Sequence, residues 1–374
     1  MRASSADGLL RRHRRQILVL GNGAAGAEKQ ALALATKLQA FLPAEENVSV
    51  AMCRIPYASS FFAQLPPVLH GLLARSTHNP WLGYAPPHPS TIPSSVPDIV
   101  IGCGRTTVAL CAGFKQAFPR LFNIQIQHPR IALHQFDAVV APQHDFQTSP
   151  PPPNVYLTPG TVCHLSTTEL VEAKAQWQHR ASSWAHLPGP KIALLVGGSC
   201  RGYTLTVDRA RHLVNQLASV LRTLDTPSLL VTFSRRTPPS VAAFLAAELP
   251  RACPSVYIWD GADDNPFLGF LAHAAAVVTT PDSISMTTEA IASGKPTFVL
   301  DMHLCTGKFR AFHRELDTAH LAAPLDALTA ASINLEAVMS IESRQAEMDG
   351  PLVSTLGAAI EAHWHARVVQ PRTP

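Results

Sequence analysis

Short apolar runs alternate with longer segments of helical period along most of this 374-residue chain. Gln16-Ile17-Leu18-Val19-Leu20 is closed by glycine, the pattern of a strand buried on both faces of a parallel sheet. Residues 28–41 follow, rich in helix formers, with Leu34, Leu38 and Phe41 at helical spacing. The strand-then-helix unit recurs. Strands are expected at 48–52, 98–101, 123–127, 138–140 and 154–157, with helices ending near 118 and covering 167–184. Residues 56–97 break the rhythm. They are rich in Pro, His and aromatics, have no clean period, and read as an irregular insertion with short helices. The four prolines at 150–153 fit neither a helix interior nor a strand interior.

Leu187-Pro188-Gly189-Pro190 marks a boundary, after which the pattern restarts. Strands are expected at 191–196, 228–233, 256–259, 276–280 and 297–300, with helices at 208–224, 240–249, 265–275 and 284–293. The reading is an α/β chain of two domains, 1–187 and 188–374, the final helix packing back on the first. Each domain is Rossmann-like, with a mostly parallel sheet covered on both faces, and the two face each other across a cleft. Ligands in such sheets bind beyond the carboxyl ends of the strands.

Composition narrows the function classes. With 47% hydrophobic and 15% charged residues there is ample material for two cores. A formal charge of +4 without a concentrated basic patch argues against nucleic acid. The one dense basic run, Arg11-Arg12-His13-Arg14-Arg15, reads as a solvated lead-in to the first strand. Seven scattered cysteines without a C-x-x-C pair fit a reducing compartment and suggest no metal site. No apolar run reaches membrane-spanning length, so any membrane association should be peripheral.

Several loops carry candidate chemistry. Gly21, Gly23 and Gly26 fit G-x-G-x-x-G between a strand and a helix, the context of a dinucleotide fingerprint. The acid expected after the second strand is replaced by Cys53-Arg54, and Arg54 could take an NADP phosphate. The alternative is a glycine loop facing an acceptor. Gly197-Gly198-Ser199 follows a strand, and its N–H groups could cradle phosphate. Arg201 replaces the last glycine of a nucleophile elbow, so a serine hydrolase is unsupported. Arg235, in Ser234-Arg235-Arg236-Thr237, could neutralise a diphosphate.

The richest stretch is 279–290. A strand ends, Asp282 or Ser283 caps a new helix, and the free N–H groups there suit a pyrophosphate. Ser283, Ser285 and Thr287 add hydroxyls, and Glu289 lies within reach of ribose hydroxyls. Gly294 and Pro296 end the helix. On the acceptor side, a base to activate a hydroxyl is sought at His128, with Asp145 second.

The segment from Asp282 through Glu289 to Gly294-Lys295-Pro296 resembles GT-B transferases that use nucleotide sugars. More specifically, the chain resembles the plant-type mitochondrial fission factor family, the "elongated mitochondria" proteins, whose bacterial relatives are treated as candidate GT-B glycosyltransferases. The resemblance rests on Gly21-Asn22-Gly23, Gly26-Ala27-Glu28 and Gln30, Gly102-Cys103-Gly104-Arg105, Gln125-Ile126-Gln127-His128-Pro129-Arg130 and Phe136-Asp137. It continues through Val256-Tyr257-Ile258-Trp259, Asn265-Pro266, Gly269, Asp282 to Met286, and Phe312-His313. It implies cleft-facing loops at Gly21, Gly23, Gly26, Gly104, Arg105 and Arg130. It further implies a UDP- or GDP-sugar ligand with no required cofactor, and a glutamate at 289 on the ribose. For the plant branch it implies a peripheral role at the cytosolic face of the mitochondrial outer membrane, helping to localise a dynamin-related GTPase. For the bacterial branch it implies cytoplasmic sugar transfer without metal. Three readings follow: a fission factor, a glycosyltransferase, and an NADP enzyme.

Overall fold

A computed structural model describes residues 15–85, 95–146, 150–180, 184–262, 264–333 and 341–369. The basic residues 11–14 and part of the 56–97 insertion, residues 86–94, lie outside them. The chain divides into two compact units. The first comprises residues 1–141, 151–157 and 351–374, and the second comprises residues 142–150 and 158–350.

The first unit is a six-stranded parallel sheet in the order β2-β1-β3-β4-β5-β6. Its elements are β1 (Gln16–Gly21), α1 (Ala25–Phe41), β2 (Ser49–Arg54), α2 (Ser60–Gln64), α3 (Pro67–Ser76), β3 (Ile99–Cys103), α4 (Val108–Ala117), β4 (Phe122–Ile126), β5 (Ala138–Pro142) and β6 (Val155–Thr158). β3, β4 and β5 are buried along their whole length, and β4 carries two buried amides, Asn123 and Gln125, among its apolar residues. The order of strands reverses between β1 and β3, so the loops after these two strands flank a crevice.

Arg15 is a clamp rather than a solvated residue. It pairs with Glu46 at 2.8 Å and Asp98 at 3.0 Å, and its guanidinium lies 4.4 Å from the centre of the Trp364 ring. Trp364 belongs to the last helix of the chain, which closes this first unit. Leu352, Leu356, Ile360 and Trp364 recur every fourth residue on that helix and are all buried. Gly357 lets it approach Phe41 of α1, whose ring would lie 2.4 Å from an added Cβ.

The second unit contains α5 (Thr167–Gln178), β7 (Lys191–Val196), α6 (Val207–Leu221), β8 (Ser228–Phe233), α7 (Pro239–Ala252), β9 (Val256–Ile258), α8 (Phe267–His273), β10 (Ala274–Thr279), α9 (Ile284–Ala292), β11 (Thr297–Val299), α10 (Gly307–Thr318), β12 (Ala323–Pro324) and α11 (Ile341–Asp349). The closing helix of the first unit is α12 (Leu352–Val369). The second sheet is also parallel, in the order β12-β11-β10-β7-β8-β9. Counted within the unit this is 3-2-1-4-5-6, the order of dinucleotide-binding sheets, with its switch point between β7 and β10.

Residues 158–187, grouped by sequence with the first domain, pack in the second unit. Trp177 of α5 and Trp184 share one buried cluster with Ala193, Leu195, Leu230 and Phe270. The Pro-Gly-Pro is thus the lead-in to β7, and two tryptophans carry the chain across ahead of it. Among the described residues no helix is long and apolar enough to cross a membrane.

Gly269 of α8 faces the Trp177 indole so closely that a Cβ would sit 2.3 Å from it. Gly269→Ala should therefore destabilise the second unit by about 1–3 kcal/mol. The check is the denaturant midpoint of that unit's transition, followed by tryptophan fluorescence.

Candidate functional site

The switch point of the second sheet is built around one carboxylate. Asp282 follows β10, and its side chain is fully buried. Its Oδ2 accepts the Gly198 N–H at 2.8 Å and pairs with Arg236 Nη2 at 3.0 Å. Its Oδ1 accepts the Thr280 hydroxyl at 2.7 Å, and Thr280 Oγ1 in turn accepts the Gly197 N–H at 2.7 Å. A buried carboxylate is tolerable only with such partners, one of them charged. The three loops after β7, β8 and β10 are thereby tied together.

These contacts explain the two glycines. A Cβ on Gly197 would lie 2.1 Å from Asp282 Oδ1, and one on Gly198 would lie 2.1 Å from the Arg236 carbonyl. They also correct the expected role of this loop. The N–H groups of Gly197 and Gly198 point at Thr280 and Asp282, so they shape the crevice instead of cradling phosphate. Ser199 is exposed, and its Oγ accepts the Leu205 N–H at 3.0 Å. Thr237 closes the loop by donating its hydroxyl to the Gly197 carbonyl at 2.5 Å.

Helix α9 begins at this point. Ser283 is its cap, with Oγ accepting the Met286 N–H at 3.4 Å. The other N–H groups of a first helical turn have no intrahelical acceptors, and the helix dipole adds partial positive charge. Ser283, Ser285 and Glu289 are half-buried on this helix. Thr287 is not at the surface: it is fully buried, and its hydroxyl lies 3.2 Å from that of Thr279 inside the unit. Asp282 and Thr287, both expected to meet a ligand, are therefore internal supports. Arg235 is exposed beside the crevice, while its neighbour Arg236 holds Asp282. Arg236, Thr237 and Thr280 were not singled out by sequence. A polar run after a buried strand was the only signal available for them.

A second support comes from α10. His313 Nε2 donates to the Pro281 carbonyl at 2.8 Å, fixing the turn from outside. His144, on the turn after β5, packs edge-on against Phe312 of α10, with ring centres 5.6 Å apart. Burial pushes both imidazoles down, each to about 4, with the neighbouring cations adding to the effect.

The rim of the first sheet is different. Glu28, in the first turn of α1, is buried. It accepts the Gly23 N–H at 2.7 Å and pairs with Arg54 Nη2 at 2.9 Å. The hydrogen bond from Arg54 is the main cause holding its carboxyl below the usual range. The glycine fingerprint is thus filled by the protein's own anion, and Arg54 faces that anion through both Nε and Nη2. The two supports of an NADP reading are engaged with each other. A Cβ on Gly21 would lie 2.7 Å from Glu28 Oε1, whereas Gly23 takes a φ of 80° that favours glycine. Gly26 has open space around it.

The loops after β3 and β4 share this rim. Gly104 has a φ of 77°, and its Cβ position would lie 3.6 Å from Gln127 Oε1 and 3.9 Å from the Ala27 methyl. Arg105 donates to the carbonyls of Gln64 and Leu65 at 3.0 and 3.1 Å. Gln127 and Arg130 both have positive φ, 70° and 58°, so the loop carrying His128 is strained on either side. The Arg130 N–H donates to His128 Nδ1 at 3.0 Å. A neutral His128 therefore carries its proton on Nε2 and presents a donor, not the base expected of it. Asp145 is half-buried next to His144. Among the described residues, no group of three or more His, Cys, Asp or Glu side chains could hold a metal ion.

Solved structures define the class. A Listeria monocytogenes protein assigned as a UDP-N-acetylglucosamine 2-epimerase superposes with a TM-score of 0.54 at 14% identity, over 94% of this chain and 97% of its own. The S. aureus MnaA–UDP co-structure superposes with a TM-score of 0.50 at 12% identity, over 96% of this chain and 100% of its own. The fold is the GT-B-like scaffold of two Rossmann-type units. Residues 25–354 match the model of the Mitochondrial fission ELM1 family, and the chain belongs to that family. The Arabidopsis thaliana mitochondrial fission protein ELM1 is 33% identical over 241 residues, which are 59% of this chain. This match spans 55% of the length of the plant protein.

Two outcomes test this construction. Asp282→Ala leaves the buried Gly198 N–H without an acceptor and should cost about 2–4 kcal/mol of second-unit stability, read from its denaturant midpoint. The histidines set a pH dependence. Buried neutral at a value of about 4, against 6.5 for the ordinary side chain, each binds its proton in the unfolded chain first. Stability of the second unit should fall as pH drops from 6.5 towards 4 and then level off. A His144→Gln/His313→Gln double variant should flatten this decline in thermal melts taken across that range.

Proposed function

We propose that the second unit binds a nucleoside diphosphate sugar at its switch point, and that the chain is a sugar-transfer enzyme of the GT-B type. The observation that carries this reading is the Asp282 clamp, which sets the start of α9 at the crevice of a 3-2-1-4-5-6 sheet. The diphosphate lies on the first turn of α9, where N–H groups and the dipole meet its charge. The Ser283 and Ser285 hydroxyls bond its oxygens, and Arg235 adds positive charge at the rim. Glu289 accepts from the ribose hydroxyls. Charge that develops on the leaving diphosphate is met by these fixed protein groups. Asp145 is then the candidate base for the acceptor hydroxyl. The UDP named in the S. aureus co-structure supports uridine as the first nucleoside to try.

The family match supports a second reading, a non-catalytic role in mitochondrial fission, for which we propose the outer membrane as the place and a dynamin-related GTPase as the partner. Calorimetry separates the two. Purified protein should bind UDP- or GDP-sugars in the micromolar range, and Glu289→Ala should weaken this about tenfold, the loss of one charge-assisted hydrogen bond. Absence of binding to every nucleotide sugar would leave the interaction role as the working function.

A further inference from the structure

The first unit leaves a set of large apolar side chains in water. Phe61 of α2 and Val68, Leu69, Leu72 and Leu73 of α3 are between 41% and 62% exposed. The four on α3 fall at successive turns on one face. The opposite face of α3 is where His70 and Ala74 are buried. Beside the apolar face runs a groove of about 150 Å³, lined by Val68, Gly71, Leu72, Ile131 and Ala132. Contiguous exposed apolar surface of this kind marks a contact with something outside the molecule.

The surrounding charge is of one sign. Residues 55–97 contain no Asp or Glu, and neither do residues 99–136. The acids that bound these stretches are already paired, Asp98 with Arg15 and Asp137 with Lys115. Arg75, Arg105 and Arg130 are exposed. Arg75 is steadied by Gln135 on the groove wall at 2.8 Å, and Arg105 is held at the end of α2 by two carbonyls. A protein partner meets mixed charge on most surfaces. A helix face of large aliphatics set among arginines without acids matches the boundary between anionic headgroups and acyl chains.

We propose that α2 and α3 are the face by which this chain rests on an anionic lipid bilayer. Phe61, Leu69 and Leu72 enter the headgroup–acyl boundary, and Arg75, Arg105 and Arg130 lie on lipid phosphates. It does not rest on the nucleotide-sugar reading, whose donor groups all lie in the second unit.

The test is co-sedimentation of the full chain with vesicles of phosphatidylcholine alone or mixed with phosphatidylserine, at low and high salt. Binding should require the anionic lipid and weaken with salt. Leu69→Glu/Leu72→Glu should lower it more than about tenfold, and Arg75→Gln about fivefold. These side chains lie in water, so both variants should melt with the wild type. Phe61→Ser, on the other helix, gives the same readout if the double variant melts lower. Nucleotide-sugar calorimetry on the same samples should be unchanged. Equal sedimentation with both vesicle types, or a double variant that binds like the wild type, would overturn the proposal and leave the ridge as a protein interface.

Discussion

The arrangement of the second unit depends on a carboxylate kept out of water. Asp282 is stable as an anion there only because a backbone N–H, a hydroxyl and a guanidinium converge on it. Each donor comes from a different loop or from the turn itself, so satisfying the charge also fixes the loops. The glycines follow from the same demand, since any side chain at 197 would occupy the space of the carboxylate oxygens. The start of α9 inherits a defined position from this one electrostatic requirement.

α10 supplies rigidity from the other side. Its His313 holds the carbonyl just before Asp282, and its Phe312 packs against His144 from the turn after β5. The turn that presents the α9 terminus is therefore gripped by an ion network within and an imidazole without. The imidazole grip needs a neutral His313, which burial provides by pushing its value down to about 4.

Much of this was legible in the sequence. Strands such as residues 191–196 and 228–233 are built on apolar runs, 192–196 and 229–231, and are flanked by helical segments, the signature of a buried parallel strand. The α9 start was legible because a cap serine follows a strand and precedes a helical period. What was not legible is direction. Thr287 and Ser285 are both hydroxyls on one short helix, yet packing turns the first inward and leaves the second at the rim. Arg235 and Arg236 are adjacent and alike, and only the distance to Asp282 tells them apart. α10 carries no turn chemistry that announces a partner. The strain around His128 was equally hidden, because neither Gln127 nor Arg130 is a residue type that signals positive φ.

The Glu28 carboxylate gives the two halves of the scaffold opposite chemical preferences. Both sheets end in a glycine loop before a helix, the arrangement that ordinarily attracts phosphate. In the first unit that seat already holds a buried negative group, bonded to Gly23 and facing Arg54. A diphosphate arriving there would meet like charge and would have to break an internal ion pair. A neutral hydroxylated molecule would meet neither obstacle. The first crevice thus carries its own charge pair in the place where a dinucleotide-binding loop would meet a phosphate.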